Sequence, residues 1–187
     1  MTGYTIENIV ASTMVAGSLN LDLVAKTFPD SLYNPADTPV VILHKTTPKK
    51  AAVMLLSNGT FVCTGLTSVQ DVEDIIQSTC KVLQSAGIII NEKPEIKIQT
   101  IVAVQELNQK LNLPKIAKKL GTINVEYNPK QFPGLIYKKE NHKTVILLFN
   151  TGKMICTGSN LDSISQSFET VTNELSSFGI IELGGKK

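Results

Sequence analysis

The sequence predicts an α+β fold in two pseudo-symmetric halves, each combining antiparallel strands with separate helices. Three observations carry this. The chain repeats its own motifs in order: Tyr33-Asn34-Pro35 returns as Tyr127-Asn128-Pro129, Cys63-Thr64-Gly65 as Cys156-Thr157-Gly158, Leu19-Asn20-Leu21 as Leu111-Asn112-Leu113, and Gly87-Ile88-Ile89 as Gly179-Ile180-Ile181. The offsets are 94, 93, 92 and 92 residues, so each copy takes about half the chain, too long and too few for a solenoid. In each copy, short alternating segments cluster between turn signals, and a long apolar stripe at helical spacing follows them.

Residues 5–14 open the first half as a strand, with Ile9 and Ala11 on one side and Asn8, Val10 and Ser12 on the other. Residues 21–28 form a short helix that Pro29 stops. Residues 33–35 are extended and then turn. Residues 40–44, 51–56 and 60–63 are three short strands, separated by Thr47-Pro48-Lys49 and by Asn58-Gly59, a strong hairpin signal. A long helix follows, since Val69, Val72, Ile76, Cys80 and Leu83 make one stripe. Ser68 with Asp71 resembles a capping box, and Gly87 suits a left-handed stop.

The second half repeats this over residues 96–183. Asn112 caps a helix with Pro114 in its first turn and Gly121 at its end. Ile164, Phe168, Val171, Leu175 and Phe178 repeat the long stripe, which Gly179 ends. The expected division is 4–91 and 92–183, jointed at 88–95, with a loose tail at 184–187. Helices cover one face of the sheet. Val10, Val62, Val102, Leu147 and Ile155 lie on the other, and an apolar face with no helix left to cover it is a dimer interface or a binding surface.

Composition narrows the function. No apolar run approaches the roughly 18–20 residues of a membrane span, and no basic segment and apolar core open the chain as a secretory signal would. Three cysteines without a Cys-x-x-Cys pair point to a reducing, intracellular setting. Every one of the 18 basic residues is lysine. Arginine is the preferred bidentate reader of guanine in the major groove, so its absence argues against readout there. Lysine still serves as a phosphate counter-charge. His44 and His142 fall at hairpin positions, Cys63 and Cys156 are read as small buried hydrophobes, and Gly152-Lys153 is a hairpin turn rather than a phosphate loop. We expect no enzyme, no catalytic residues, no metal and no cofactor.

Two long segments carry a family resemblance. Phe132-Pro133-Gly134-Leu135-Ile136-Tyr137-Lys138, followed by Val145-Ile146-Leu147-Leu148-Phe149-Asn150-Thr151-Gly152-Lys153-Met154-Ile155-Cys156-Thr157-Gly158, resembles the second repeat of the TATA-box-binding protein family. Ile6-Glu7-Asn8-Ile9-Val10-Ala11-Ser12 resembles the opening strand of its first repeat. The resemblance spans about residues 4–183. It implies a saddle: a curved ten-stranded antiparallel sheet with four helices on the convex side, its concave underside on the minor groove of AT-rich promoter DNA. This family is itself the standard illustration of minor-groove kinking, so that behaviour comes with the resemblance and not from the residues.

The residues suit that role. Minor-groove readout is information-poor, so it needs apolar contact and a few amides seeking acceptors. Val10, Val62, Val102, Leu147 and Ile155 supply the first, and Asn8 the second. By resemblance, Thr64 and Thr157 match a pair of threonines that contact base edges near the pseudo-two-fold. Phe132 and Phe149 match the two aromatic wedges of the second repeat.

The first repeat departs from that pattern. Thr38 and Leu56 stand where its wedges belong, 18 steps apart against 17 for Phe132 and Phe149. Thr100 replaces the asparagine that would mirror Asn8. The window 128–153 carries Lys130, Lys138, Lys139, Lys143 and Lys153, against only Lys45, Lys49 and Lys50 in the matching window 34–60. Thr60 is the twin of Lys153. The expected DNA-contacting set is therefore Asn8, Val10, Leu56, Val62, Thr64, Thr100, Val102, Phe132, Lys138, Lys139, Leu147, Phe149, Lys153, Ile155 and Thr157, with binding and kinking concentrated at one end.

The resemblance also implies partners: a B-type initiation factor and RNA polymerase. The family docks the B-type factor through acidic and apolar residues before Phe-Pro-Gly, but Asn128-Pro129-Lys130-Gln131 lacks the acids. The long helices carry Asp71, Glu73, Asp74, Asp162, Glu169 and Glu174 where the family presents basic residues. A second hypothesis follows, a protein-docking or partner-sequestering paralogue that binds DNA weakly. A third is a DNA-free homodimer through the apolar face. Residence is nuclear in a eukaryote and cytoplasmic in an archaeon or viral factory; no membrane is involved.

Overall fold

Strand β1 (Thr5–Met14) shows how the chain begins to build its layers. Its residues alternate strictly, so Ile9 and Ala11 are fully buried while Asn8, Val10 and Ser12 on the opposite side are only half-buried. The computed structural model describes residues 3–47, 49–91, 93–121 and 123–182, without the side chain of His142. The loose tail expected at 184–187 and the Pro48 of the first turn signal lie outside the described residues.

The first half continues with α1 (Leu21–Thr27), β2 (Leu32–Asn34), β3 (Thr38–Lys45), β4 (Ala51–Leu56), β5 (Thr60–Leu66) and α2 (Val69–Ser85). The second contains β6 (Lys97–Glu106), α3 (Leu113–Leu120), β7 (Val125–Glu126), β8 (Leu135–Lys139), a 3₁₀ turn (Glu140–His142), β9 (Thr144–Leu148), β10 (Lys153–Gly158) and α4 (Leu161–Ser177). The ten strands form one sheet in the order β2-β3-β4-β5-β1-β6-β10-β9-β8-β7. The α+β architecture and the element grammar of both halves follow the sequence.

Helix ends obey local chemistry. Asn20, Ser68, Asn112 and Asn160 each accept a backbone N–H of the first turn, which satisfies donors the helix cannot. Gly87 and Gly179, just past the long helices, take left-handed φ of 78° and 63°.

Some boundaries differ from expectation. Strand β3 starts at Thr38, not residue 40, because Thr38 pairs with Asn34 of β2. Strand β5 runs to Leu66, where Ile9 of β1 still pairs with it. Val69 drops out of the α2 stripe at 39% exposure; it lies in the first turn, and the buried set is Val72, Ile75, Ile76, Thr79, Cys80 and Leu83. Phe178 caps α4 and is half-buried, beyond the stripe of Ile164, Phe168, Val171 and Leu175.

The chain divides into two compact units, Glu7–Thr100 and Ile101 onward with the residues up to Ile6. In the first, Phe61, Leu55, Ile75 and Leu83 are fully buried between sheet and helix. Each contributes roughly 1.5–3 kcal/mol of transfer free energy. In the second, Ile101, Ile146 and Leu148 do the same against Ile164, Val171 and Leu175. Tyr4 belongs to this unit, and its ring meets Phe168 of α4 at 5.5 Å, tilted by 32°. Among the described residues no helix is long and apolar enough to cross a membrane.

Candidate nucleic-acid interface

In the unit Glu7–Thr100, cross-strand register sorts the half-buried residues into rows on the face turned away from the helices. Ser12 pairs with Val62, Val62 with Met54, and Met54 with Ile42. The next row runs Thr64, Ala52, His44. Residues directly opposite on antiparallel strands share a face, so Val62 and Thr64 stand where the alternation places them. Ile42, Met54 and His44 join them. His44 is a correction: it is an exposed strand residue of β3 opposite Ala52, not a hairpin residue.

Asn8 sits beside a break in the β1–β5 ladder. The register shifts between Ile9 and Ala11, and Gly65 takes φ of +89°, a bulge geometry that costs glycine nothing. The Asn8 Oδ1 accepts the Gly65 N–H at 2.8 Å and the Thr64 hydroxyl at 3.2 Å. Two donors on the oxygen orient the amide, so the Nδ2 donors are the part left for a ligand. Adenine N3 and thymine O2 on the minor-groove floor are acceptors only.

The other unit carries matching rows with one difference. Val104, Ile155, Leu147 and Ile136 form one row; Val102, Thr157, Val145 and Lys138 form the next. The ladder here is unbroken through Gly158 opposite Ile101. Thr100 occupies the place of Asn8 but has no bulged N–H to meet, and it is half-buried. The absent asparagine and the absent bulge belong together.

Phe132 and Phe149 come together at the outer end of this face. Their rings meet edge-on, centroids 5.9 Å apart at 67°. Phe132 is held in a turn by its N–H to the Asn128 carbonyl at 3.0 Å, and Phe149 by its N–H to the Lys153 carbonyl at 3.0 Å. Gly134 makes room for them: a Cβ there would stand 2.7 Å from Phe132 Cε1 and 3.1 Å from Phe149 Cε1. Both rings are half-exposed. In the first unit, exposed Thr38 and half-buried Leu56 hold the twin positions, with Val40 opposite Leu56.

The lysines separate. Lys138 is on the uncovered face and meets Glu126 of β7 at 2.6 Å, both well exposed. Such an exposed pair is worth about 0–1 kcal/mol, so a phosphate can displace it. Lys153 is half-buried on the same face, in register with Ile155 and Thr157. Lys139 must be withdrawn from the expected set. Leu135, Tyr137 and Lys139 point to the helix side, and the Lys139 ammonium lies 3.0 Å from Glu174 of α4 and 4.7 Å from the Tyr137 ring centroid. Burial pulls its pKa down, but hydrogen bonds to Glu174 and Tyr137 outweigh that and leave it raised.

Cys63 and Cys156 face the helices and are fully buried. Burial pushes their thiols up to about 11 and about 12. Among the described residues no group of three or more His, Cys, Asp and Glu side chains is placed to hold a metal ion.

The rows missed from sequence, Ile42, His44, Met54, Val104, Ile136 and Val145, were available in principle. Alternation extended along every strand, once β3–β4 and β8–β9 are paired, finds them.

Comparison with known proteins agrees with this geometry. Residues 3–86 and 95–178 match the family described as transcription factor TFIID, or TATA-binding protein. A TATA-box-binding protein of Thermoplasma volcanium is 43% identical over 178 residues, covering 95% of this chain and 96% of the relative. That of Archaeoglobus fulgidus is 39% identical over 177 residues, covering 94% and 96%. The solved Methanococcus jannaschii TBP superposes with a TM-score of 0.85 at 33% identity, covering 93% of this chain and 98% of that one. The chain belongs to the TATA-box-binding protein family.

Proposed function

We propose that this protein is a general transcription initiation factor that binds the minor groove of AT-rich promoter DNA through its uncovered sheet faces and bends it mainly at one end. The single observation that carries this is the uncovered face: rows of half-buried apolar side chains with the oriented Asn8 amide among them. Apolar rows suit the floor of an A·T minor groove, where the guanine amino group is absent. Lys138 and Lys153 supply phosphate contacts, and the half-exposed Phe132–Phe149 pair supplies the wedge. Wedge kinking, which this family exemplifies, costs a few kcal/mol of unstacking per step and is offset by the contacts that the bend permits. The two repeats, 4–91 and 92–183, contribute unequally, because one pair of wedges is absent.

The bound promoter is then offered to a B-type initiation factor and RNA polymerase inside the cell. The 128–131 turn beside Phe132 is the proposed dock for the B-type factor. Its Lys130 and the Glu126 held by Lys138 favour a partner of altered charge there.

A titration of labelled TATA-box duplex against a GC-rich duplex, at two salt concentrations with end-to-end energy transfer, tests the reading. Selective binding with a bend is expected. Salt-sensitive binding with neither selectivity nor bend overturns it in favour of the protein-docking paralogue, which Thr38, Leu56 and Thr100 favour. A DNA-free homodimer is a further outcome, visible as two protein chains per particle without DNA and one chain per duplex after DNA is added.

A further inference from the structure

We propose that Val40 closes the wedge site of the first repeat, so that this end of the protein stays unkinked even when aromatic residues are restored at 38 and 56. The inference rests on the reading of Phe132 and Phe149 as wedges. It goes beyond the loss of two aromatics to a third position that enforces the loss.

In the second repeat, the glycine at 134 leaves the space that the ring pair fills. A Cβ there would meet both rings and the Leu148 carbonyl, at 2.7, 3.1 and 3.3 Å. The 2.7 Å contact is with the Phe132 ring itself, so a side chain at 134 displaces one member of the pair. Val40 is the twin of Gly134, two residues after Thr38 as Gly134 is two after Phe132. It lies directly opposite Leu56, the twin of Phe149. Its isopropyl group therefore stands in the space that the rings use in the other repeat.

The backbone agrees. Thr38 is held within the β2–β3 ladder by its pairing with Asn34. Phe132 lies outside β8, which starts at Leu135, and is presented by a turn. Valine is a good strand residue and glycine a poor one. Valine at 40 suits the longer β3 and closes the site.

The test uses the full chain and a TATA-box duplex labelled for energy transfer. T38F/L56F is expected to bend the duplex no more than the unmodified protein, and T38F/V40G/L56F to bend it further. G134V, with both native phenylalanines present, is expected to bend as little as F132A/F149A. Equal bending by the double and triple variants, or an unimpaired G134V, overturns the proposal.

A DNA-free cycle separates packing from function. V40G is expected to lower the thermal midpoint in the native background, as glycine in a strand does, and to raise it in T38F/L56F. A lowered midpoint in both backgrounds overturns the proposal. Should F132A/F149A bend DNA like the native protein, the wedge reading fails, and the sign of this cycle still decides whether Val40 excludes the rings.

Discussion

At the scale of single residues, Asn8 shows how one side chain is divided between fold and ligand. Its oxygen satisfies the Gly65 N–H and the Thr64 hydroxyl, which leaves its nitrogen as the donor for the proposed ligand, a minor-groove floor of acceptors. Asn8→Asp keeps the oxygen and removes the donors. We expect the thermal midpoint to move little and affinity for a TATA duplex to fall at least tenfold, about 1.4 kcal/mol or more. Equal losses of stability and affinity would assign Asn8 to the fold alone. The thiols give a second prediction. Cys63 and Cys156 have folded pKa values of about 11 and about 12, above the ordinary 9.0. A raised acid stabilises the fold fully below its unfolded pKa and loses that contribution as pH rises through the folded value. Denaturation midpoints should hold below pH of about 9 and fall progressively from there toward about 12. Cys63→Ala/Cys156→Ala should flatten that fall.

At the scale of elements, strand alternation decides which charges lie on the open face. Lys138 and Lys139 are sequence neighbours on opposite faces of β8, one paired with Glu126 and the other with Glu174 of α4. Lys138→Ala should reduce the slope of log affinity against log salt by about one and leave stability unchanged. Lys139→Ala should leave the slope unchanged and cost about 1–3 kcal/mol of stability, because the Glu174 carboxylate keeps only the Tyr137 hydroxyl and loses its cationic partner at the sheet–helix contact. A reversed pattern would mean that β8 is turned over. His44 is the register twin of Lys138. His44→Lys should therefore raise the salt slope by about one, measured on the same duplex.

At the scale of the whole molecule, the two repeats have kept one architecture and divided the labour of binding. The first holds the bulge and its asparagine; the second holds the Phe132–Phe149 pair proposed as the wedge, and Lys138 and Lys153 on its open face. Phe149→Ala should cut DNA bending far more than Leu56→Ala, read by energy transfer between duplex ends. Equal losses would sink the one-ended picture. The absence of arginine and a net charge of +2 leave little long-range attraction beyond these lysines.

Much of this was legible in the order of amino acids, because the responsible forces are local. Alternation in β1, the asparagine and serine caps, and the left-handed glycines after α2 and α4 depend on neighbours within four residues. The internal repeat was legible for a different reason: two copies of one unit preserve spacing. What local pattern could not carry was register. The β8–β9 pairing turns Lys139 away from the open face, and pairing by Thr38 lengthens β3. The bulge at Gly65 gives Asn8 its partner, and Tyr4 at the start of the first repeat meets Phe168 of α4 in the second. Each is a meeting of residues distant along the chain. A slip of one residue reverses every side chain of a strand, so these placements are settled when the strands pair and the helices close over them.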